Sequence, residues 1–230
     1  MTISNDSRTR IKKAFEPVAL GMGRLGLTPD ALTLIGFGIT VVGAVLIARQ
    51  LWLLGGVVVL VGGIFDMFDG TLARATGKVN RLGAFMDSVF DRAGEVIVYI
   101  GIVASLQANG IADGTLLAAA ALGSAVMVSY TRAKSEGLGF THGTGMAAVG
   151  IMPREVRLVI LSLGLILAGV LGTTPYFIDG ESGAGGMAFP PGAAALFLAL
   201  GIITIGSTIT VIQRILHVRS QAHHQSTQTQ

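Results

Sequence analysis

Six runs of mostly apolar residues divide this chain, at about 31–49, 52–75, 83–106, 114–134, 155–173 and 191–215. Each is close to the ~20 residues that cross a ~30 Å hydrocarbon core. Inside lipid every backbone N–H and C=O of such a segment must be satisfied internally, and a helix does this. The chain therefore reads as an all-α integral membrane protein with six transmembrane helices. Its composition agrees: 51% of residues are hydrophobic, 13% are charged and the mean hydropathy is +0.70, whereas soluble domains carry about 25% charged residues. The 33 glycines against 6 prolines suit close approach of helix backbones.

Residues 1–27 form a different kind of segment. Arg8, Arg10, Lys12 and Lys13 precede Phe15, Val18, Leu20, Met22 and Leu25, without the continuous apolar core and cleavage site of a signal peptide. They predict an N-terminal amphipathic interfacial helix on an anionic membrane surface. Thr28-Pro29-Asp30 is a helix-start signal, so the membrane domain is placed at 28–216. Residues 217–230 form a polar tail whose composition reads as disordered.

The basic residues orient the chain. Arg24, Arg74, Lys78, Arg81, Arg214 and Arg219 lie at one set of ends, with Arg92 near the start of the third run. Arg132, Lys134, Arg154 and Arg157 bracket the fourth connection, and only Arg49 stands on the opposite side. The positive-inside bias predicts a multi-pass protein of the cell (plasma) membrane, with both termini and the 75–82 turn cytoplasmic. The fifth connection, Gly172 to Pro190, holds Asp179 and Glu181 but no Lys or Arg, as a non-cytoplasmic loop should. A net charge of +3 and a pI near 9.6 would suit nucleic acid, but this placement argues for orientation instead, and no nucleic-acid partner is expected.

Against this background Asp66, Asp69, Asp87 and Asp91 stand out, because ionisable groups at membrane depth mark ion, proton or substrate sites. Residues three or four apart share a helix face. Asp66 and Asp69 thus point one way, as do Asp87 and Asp91, and a short turn between the second and third helices makes them antiparallel neighbours able to aim both faces at one point. Four unpaired carboxylates there would repel one another and protonate. One or two divalent cations remove the difficulty. With no cysteine, and with His142, His217, His223 and His224 lacking zinc-like spacing, the ligands are oxygens and Mg²⁺ is favoured. Two ions would be placed to polarise a phosphoryl group. Gly70 and Gly83 leave room for a bulky ligand, and Arg74 offers a fork for phosphate. The bland alternative is that these aspartates cap helix ends or pair with Arg74, Lys78, Arg81 and Arg92.

The pattern Asp66-x2-Asp69-Gly70-x2-Ala73-Arg74-x8-Gly83-x3-Asp87-x3-Asp91 resembles, at every fixed position, the signature of the CDP-alcohol phosphotransferase family of membrane enzymes. The resemblance implies that an acceptor hydroxyl attacks the β-phosphate of CDP-diacylglycerol and that CMP leaves. It implies that Asp66, Asp69, Asp87 and Asp91 hold Mg²⁺, with Mn²⁺ as a substitute, and that Asp91 is also the proton acceptor. Asp66 and Asp69 would help fix the pyrophosphate, and Gly70, Ala73, Arg74 and Gly83 would line the CDP-diacylglycerol pocket. Pro29, Asp30, Ala31 and Leu32 resemble the family segment that closes over the nucleotide. Asn80 is either a further contact or an ordinary turn residue.

The acceptor must be read from the fourth connection. Arg132, Lys134, Arg154, Arg157 and Arg214 would cluster at the cytoplasmic face, either as ordinary snorkelling flanks or as a site for an acceptor that carries its own phosphate. Arg154 and Arg157 share a face near a helix N-terminus, which favours anions. The S-Y-T-R-A-K-S-E-G-L-G and R-E-V-R-L stretches look like those of actinobacterial phosphatidylinositol phosphate synthases, which implies inositol 1-phosphate as acceptor. Pro153 departs from that subgroup, where an acidic residue often precedes the first arginine. Phosphatidylglycerophosphate synthesis from glycerol 3-phosphate is the competing transferase reading. A divalent-cation transporter is the competing class, because intramembrane aspartates also line ion paths. Gly55, Gly56, Gly62 and Gly63 permit helix contacts within or between chains, and the family resemblance implies a homodimer among membrane lipids.

Overall fold

The structure is a computed structural model that describes residues 17–140, 149–172, 176–177, 187–188 and 191–228. The arm from Arg8 to Phe15 lies outside the described residues, as do His142, Asp179 and Glu181. Helix α1 covers 17–24 and is followed by α2 (Pro29–Ala48), α3 (Trp52–Ala75), α4 (Arg81–Ala108), α5 (Ala112–Gly137), α6 (Arg154–Leu171) and α7 (Pro191–Gln228). Each apolar run of the sequence is thus a helix. Between α6 and α7, β1 (Tyr176–Phe177) and β2 (Met187–Ala188) pair antiparallel, Tyr176 opposite Ala188, a small departure from an all-α chain.

Local chemistry sets the boundaries. The Thr28 hydroxyl accepts from the Ala31 amide at 3.2 Å and Pro29 takes the first turn of α2, where its missing N–H costs nothing. Asn80 caps α4 by accepting from the Gly83 amide at 2.7 Å. The chain leaves α3 through Gly77 and α4 through Gly110, with φ of 66° and 70°, a conformation that glycine adopts without strain. No such stop follows the last apolar run. Helix α7 therefore continues through Gln228, beyond the end placed at 215, and the tail read as disordered is helical from His217 to Gln228. Its 38 residues span about 57 Å, so its C-terminal part extends past a hydrocarbon core of ~30 Å.

Four helices, α2, α3, α5 and the 191–223 part of α7, are long and apolar enough to cross a membrane, which makes this a multi-pass membrane protein. Helices α4 and α6 are more charged: Asp87, Asp91, Arg92 and Glu95 lie along α4, and Arg154, Glu155 and Arg157 at the start of α6.

The six long helices close into a ring. Helix α2 packs on both α3 and α4, α4 on α5, α5 on α7, α7 on α6, and α6 returns to α3. Helices α3 and α4 make little contact with each other, so the short turn does not make them packed neighbours as their sequence separation suggested. A short connection ties only their near ends, and α2 occupies the space between them. Glycines two turns apart explain why it fits. An added Cβ on Gly55 would sit 3.0 Å from the Gly43 carbonyl oxygen of α2, and one on Gly101 of α4 would sit 3.2 Å from the Ala44 carbonyl carbon. Gly62 and Gly94 meet the Thr40 side chain in the same way, and Gly56 and Gly63 bring α3 against Leu165 and Leu158 of α6.

The apolar core runs through this ring, with Trp52, Val98, Ile102, Leu106, Leu165, Leu196 and Leu200 among its buried members. Trp52 donates from its indole to Ser105 at 2.6 Å, so its polar atom is satisfied. A smaller cluster of Ala19, Leu32, Phe68 and Leu72 joins α1 to the near ends of α2 and α3. Gly101→Ala drives a methyl into the backbone of α2 and should cost about 1–3 kcal/mol, read as a lowered Tm in detergent. Gly123→Ala, where an added Cβ meets no atom within 4 Å, should leave Tm unchanged.

Candidate active site

The splay of α3 from α4 leaves their polar halves facing one another across a gap that α2 and α6 border. Asp66 and Asp69 come from α3, Asp87 and Asp91 from α4, and each pair lies on one helix face. Asp69 is 5% exposed. It is fixed from two sides: the Thr33 hydroxyl of α2 donates to Oδ2 at 2.5 Å and the Gly70 amide donates to Oδ1. Asp66 approaches α2 at Gly36, where an added Cβ would lie 2.7 Å from Asp66 Oδ1. A glycine at 36 is therefore what admits this carboxylate.

Asp66 and Asp91 meet at a third helix. Arg154, the first residue of α6, donates from Nη2 to Asp66 Oδ2 at 2.8 Å, and its Nη1 forms an ion pair with Asp91 Oδ1 at 2.5 Å. Asp87 acts electrostatically on Asp69 and Asp91 and is itself reached by the charges of Asp66, Arg154 and Arg92. Two carboxylates from separate helices are thus drawn to one positive charge with the other two beside them. Among the described residues no three carboxylate or imidazole groups converge on one point as they stand. What the structure brings together is a neighbourhood of four carboxylates with a guanidinium inside it. An all-oxygen, four-carboxylate set of this kind fits a hard divalent cation.

The remaining motif residues surround this group. Gly70 gives space to Arg74: an added Cβ would lie 3.2 Å from Arg74 Nη1. The Arg74 guanidinium is exposed and folds back to the Thr71 hydroxyl at 3.4 Å. An added Cβ on Gly83 would lie 3.4 Å from both Asn80 Oδ1 and Asp30 Oδ1, so the beginnings of α2 and α4 meet there. That contact brings Asp30 beside Asn80 and Gly83, with Pro29 and Ala31 on the same first turn of α2, whereas Leu32 is buried against Phe68 and Leu72. Ala73 is half-buried on the same turn as Arg74.

The basic residues divide by environment. Arg157 is 1% exposed and holds Glu95 of α4 by two bonds, Nε to Oε1 at 2.8 Å and Nη2 to Oε2 at 2.9 Å, with Nη1 on the Met152 carbonyl at 3.1 Å. Arg214 of α7 is also buried and donates to the carbonyls of Val149, at 3.0 Å, and Val128. Arg132 pairs with Glu136 at 2.9 Å and is exposed, as is Lys134. Arg92 reaches Glu95 at 3.4 Å and the Ser129 hydroxyl. Arg92, Arg132 and Arg157 all act electrostatically on Arg214, with Glu136 opposing them, so α4, α5, α6 and α7 share a basic wall, which Arg92 joins to Asp91 by an ion pair at 3.6 Å.

Thr33, Gly36 and Glu95 were not singled out in the sequence. Glu95 had a visible signal, since it extends Asp87 and Asp91 by another four-residue step along one face of α4. Thr33 and Gly36 are ordinary small residues of an apolar run, and only the packing of α2 on α3 gives them meaning. Replacing Glu95 by alanine leaves the buried Arg157 guanidinium without its carboxylate, and on the order of 3–5 kcal/mol of stability should be lost. Thermal unfolding in detergent measures this, and a Tm equal to that of the parent protein would contradict it.

Comparison with known proteins places these features in context. A profile described as CDP-alcohol phosphatidyltransferase matches residues 26–220. The chain is 34% identical over 163 residues to the archaetidylinositol phosphate synthase of Pyrococcus horikoshii, covering 71% of this chain and 82% of that one. It is 33% identical over 220 residues to the phosphatidylinositol phosphate synthase of Mycolicibacterium smegmatis, covering 93% and 87%. Two crystal structures of the Mycobacterium tuberculosis phosphatidylinositol phosphate synthase are similar at 29% identity. The one in complex with manganese and citrate has a TM-score of 0.71, covering 89% of this chain and 88% of that one. The one with CDP-DAG bound has a TM-score of 0.70, covering 90% and 94%.

Proposed function

The chain belongs to the CDP-alcohol phosphatidyltransferase family, and from that premise we propose that it transfers the phosphatidyl group of CDP-diacylglycerol to inositol 1-phosphate, giving phosphatidylinositol phosphate and CMP. The observation that carries this reading is the convergence of Asp66 from α3 and Asp91 from α4 on a single positive charge. The two ends of the motif, 25 residues apart in sequence, come together as a divalent-cation site for a pyrophosphate would require. The relatives, named as synthases, favour transfer over cation transport, the other class that such aspartates suggest.

Asp66, Asp69, Asp87 and Asp91 would hold the divalent cation, Mg²⁺ in our reading, with Mn²⁺ able to replace it. When bound, the metal neutralises phosphate charge and stabilises the departing phosphate oxygen. The chain supplies the rest. Thr33 and the Gly70 amide fix Asp69, so that a metal ligand is oriented before substrate arrives. Gly70 and Gly83 leave space for the cytidine and its phosphates, Arg74 adds a fork for phosphate, and Pro29 to Ala31 and Asn80 border the opening. Asp91 accepts the proton of the acceptor hydroxyl as its oxygen bonds to the phosphorus next to the diacylglycerol. The bond from that phosphorus to the CMP oxygen breaks, and CMP leaves with the electron pair.

The basic wall supports an acceptor that brings its own phosphate. Exposed Arg132 and Lys134 and the half-buried Arg154 are the side chains we assign to that phosphate, with Arg157 and Arg214 shaping the wall behind them. In the membrane we propose six spans, α2 to α7, within a domain at 28–216, with an interfacial helix in the 1–27 arm. Both termini and the site would face the cytoplasm across the cell membrane. The protein is proposed to work as a homodimer.

Purified protein given CDP-diacylglycerol, Mg²⁺ and inositol 1-phosphate should release CMP, and chelation by EDTA should abolish the release. Turnover with glycerol 3-phosphate and none with inositol 1-phosphate would assign phosphatidylglycerophosphate synthesis instead. Asp91→Asn should lower kcat by about 10²–10⁴-fold, the usual worth of a general base, while CDP-diacylglycerol binding stays measurable. Rates equal to the parent protein's would remove Asp91 as the proton acceptor.

A further inference from the structure

Two demands fall on Arg154: its guanidinium holds Asp66 and Asp91, and the acceptor's phosphate would draw on it as well. Both cannot be met at once. A divalent cation held by the four aspartates would bring its charge to the Asp66 and Asp91 carboxylates, beside which the Arg154 guanidinium stands at 2.8 and 2.5 Å. The guanidinium and the metal ion would compete for these carboxylates, because like charges so close together repel strongly in a partly buried site.

The two arginines on this face of α6 differ in how freely they can move. Arg157 is locked by two bonds to Glu95 and one to the Met152 carbonyl and is 1% exposed. The Arg154 side chain is 24% exposed and its ion pairs are both to the motif aspartates. It is the first residue of α6, so its long side chain can turn about its own torsions without moving the helix. The charge of Glu95 also acts on it.

We infer that Arg154 is a counter-ion exchanged by metal: it neutralises Asp66 and Asp91 until a divalent cation displaces it, and the displaced guanidinium then completes the binding site for the acceptor's phosphate. This rests on the phosphatidyltransferase reading of the aspartates and adds an order to it. The metal, with its CDP-lipid, precedes the acceptor, because the acceptor's cation is released only when the metal is in place. An acceptor phosphate arriving first meets a guanidinium already paired with two carboxylates. Arg154 is thus a positioning residue for the charge balance of the site as well as a contact for the acceptor.

The test is equilibrium binding of Mn²⁺ to the full-length protein in detergent, followed by the EPR signal of the free ion without lipid substrate. The parent protein, Arg154→Gln and Arg154→Lys are compared, with Asp66→Asn as control. Lysine keeps the charge but is a point cation that cannot bridge two carboxylates with a planar fork. Both Arg154 variants should therefore bind Mn²⁺ more tightly than the parent, by about 5–150-fold, the usual range of coupling between sites. In the parent, inorganic phosphate should tighten Mn²⁺ binding, and by the same linkage Mn²⁺ should tighten phosphate binding. In Arg154→Gln that mutual effect should shrink at least about fivefold.

Tighter Mn²⁺ binding in the Gln variant with parent-like binding in the Lys variant would mean simple charge repulsion and would overturn the exchange. So would unchanged or weaker binding in both variants, or an undiminished phosphate effect in Arg154→Gln. Mn²⁺ binding that ignores Asp66→Asn would fail the metal-site reading itself, a result distinct from failure of the exchange. If Arg154→Gln does not fold, the Lys variant alone decides, because it keeps the charge on which folding depends.

Discussion

Everything near the site follows from the need to keep four carboxylates together in a place that water does not fully reach. Two unit charges about 4 Å apart interact by about 4 kcal/mol at an effective dielectric of about 20, so such a group folds only if its charge is answered. The chain answers it locally, and differently, at three of the four. Asp69 receives a hydroxyl and an amide proton, and Asp66 and Asp91 share one guanidinium. Because each answer comes from a different element, α2, α3 and α6 are all tied to the motif, and the ring of helices is closed partly by the chemistry it encloses.

Helix α2 is the structural counterpart of that requirement. If α3 and α4 packed directly on each other, the aspartates would meet face to face with no room for a pyrophosphate between them. Glycines on α3 and α4 instead receive α2, which holds the two helices apart and donates Thr33 to the site. Gly36 serves both ends: it lets α2 lie close to α3 and leaves the space that the Asp66 carboxylate occupies. Packing and function therefore use the same small residues, so a bulkier residue at 36 would disturb the carboxylate before it disturbed the fold.

Much of this was legible in the sequence, and the division is physical. The helices were visible because each is set by a local pattern, and the motif was visible because its residues lie on two adjacent segments at fixed spacing. The rest depends on residues distant in sequence. Thr33 meets Asp69 across 36 positions and Arg154 meets Asp66 across 88, and no local periodicity encodes either meeting. The splay of α3 from α4 was hidden for the same reason, since a short connection fixes where two helices start and says nothing of what lies between them. The continuation of α7 was missed differently: polarity was read as disorder, although His217 to Gln228 contains neither proline nor glycine to stop a helix.

The buried Glu95–Arg157 pair shows how such a site separates rigidity from exchange. An ion pair out of water gains little over well-packed apolar side chains once desolvation is counted, so stability alone is a poor reason to keep one here. What it provides is a fixed guanidinium one helical turn from a movable one. With Arg157 saturated by Glu95 and the Met152 carbonyl, the wall beside the aspartates has a constant shape and charge. Arg154 is then the cation on this face of α6 whose position can answer to the state of the carboxylates. An enzyme that must admit a doubly charged metal, a pyrophosphate and a second phosphate to one small volume needs such a division, because charges that all moved together could not impose an order on their arrival.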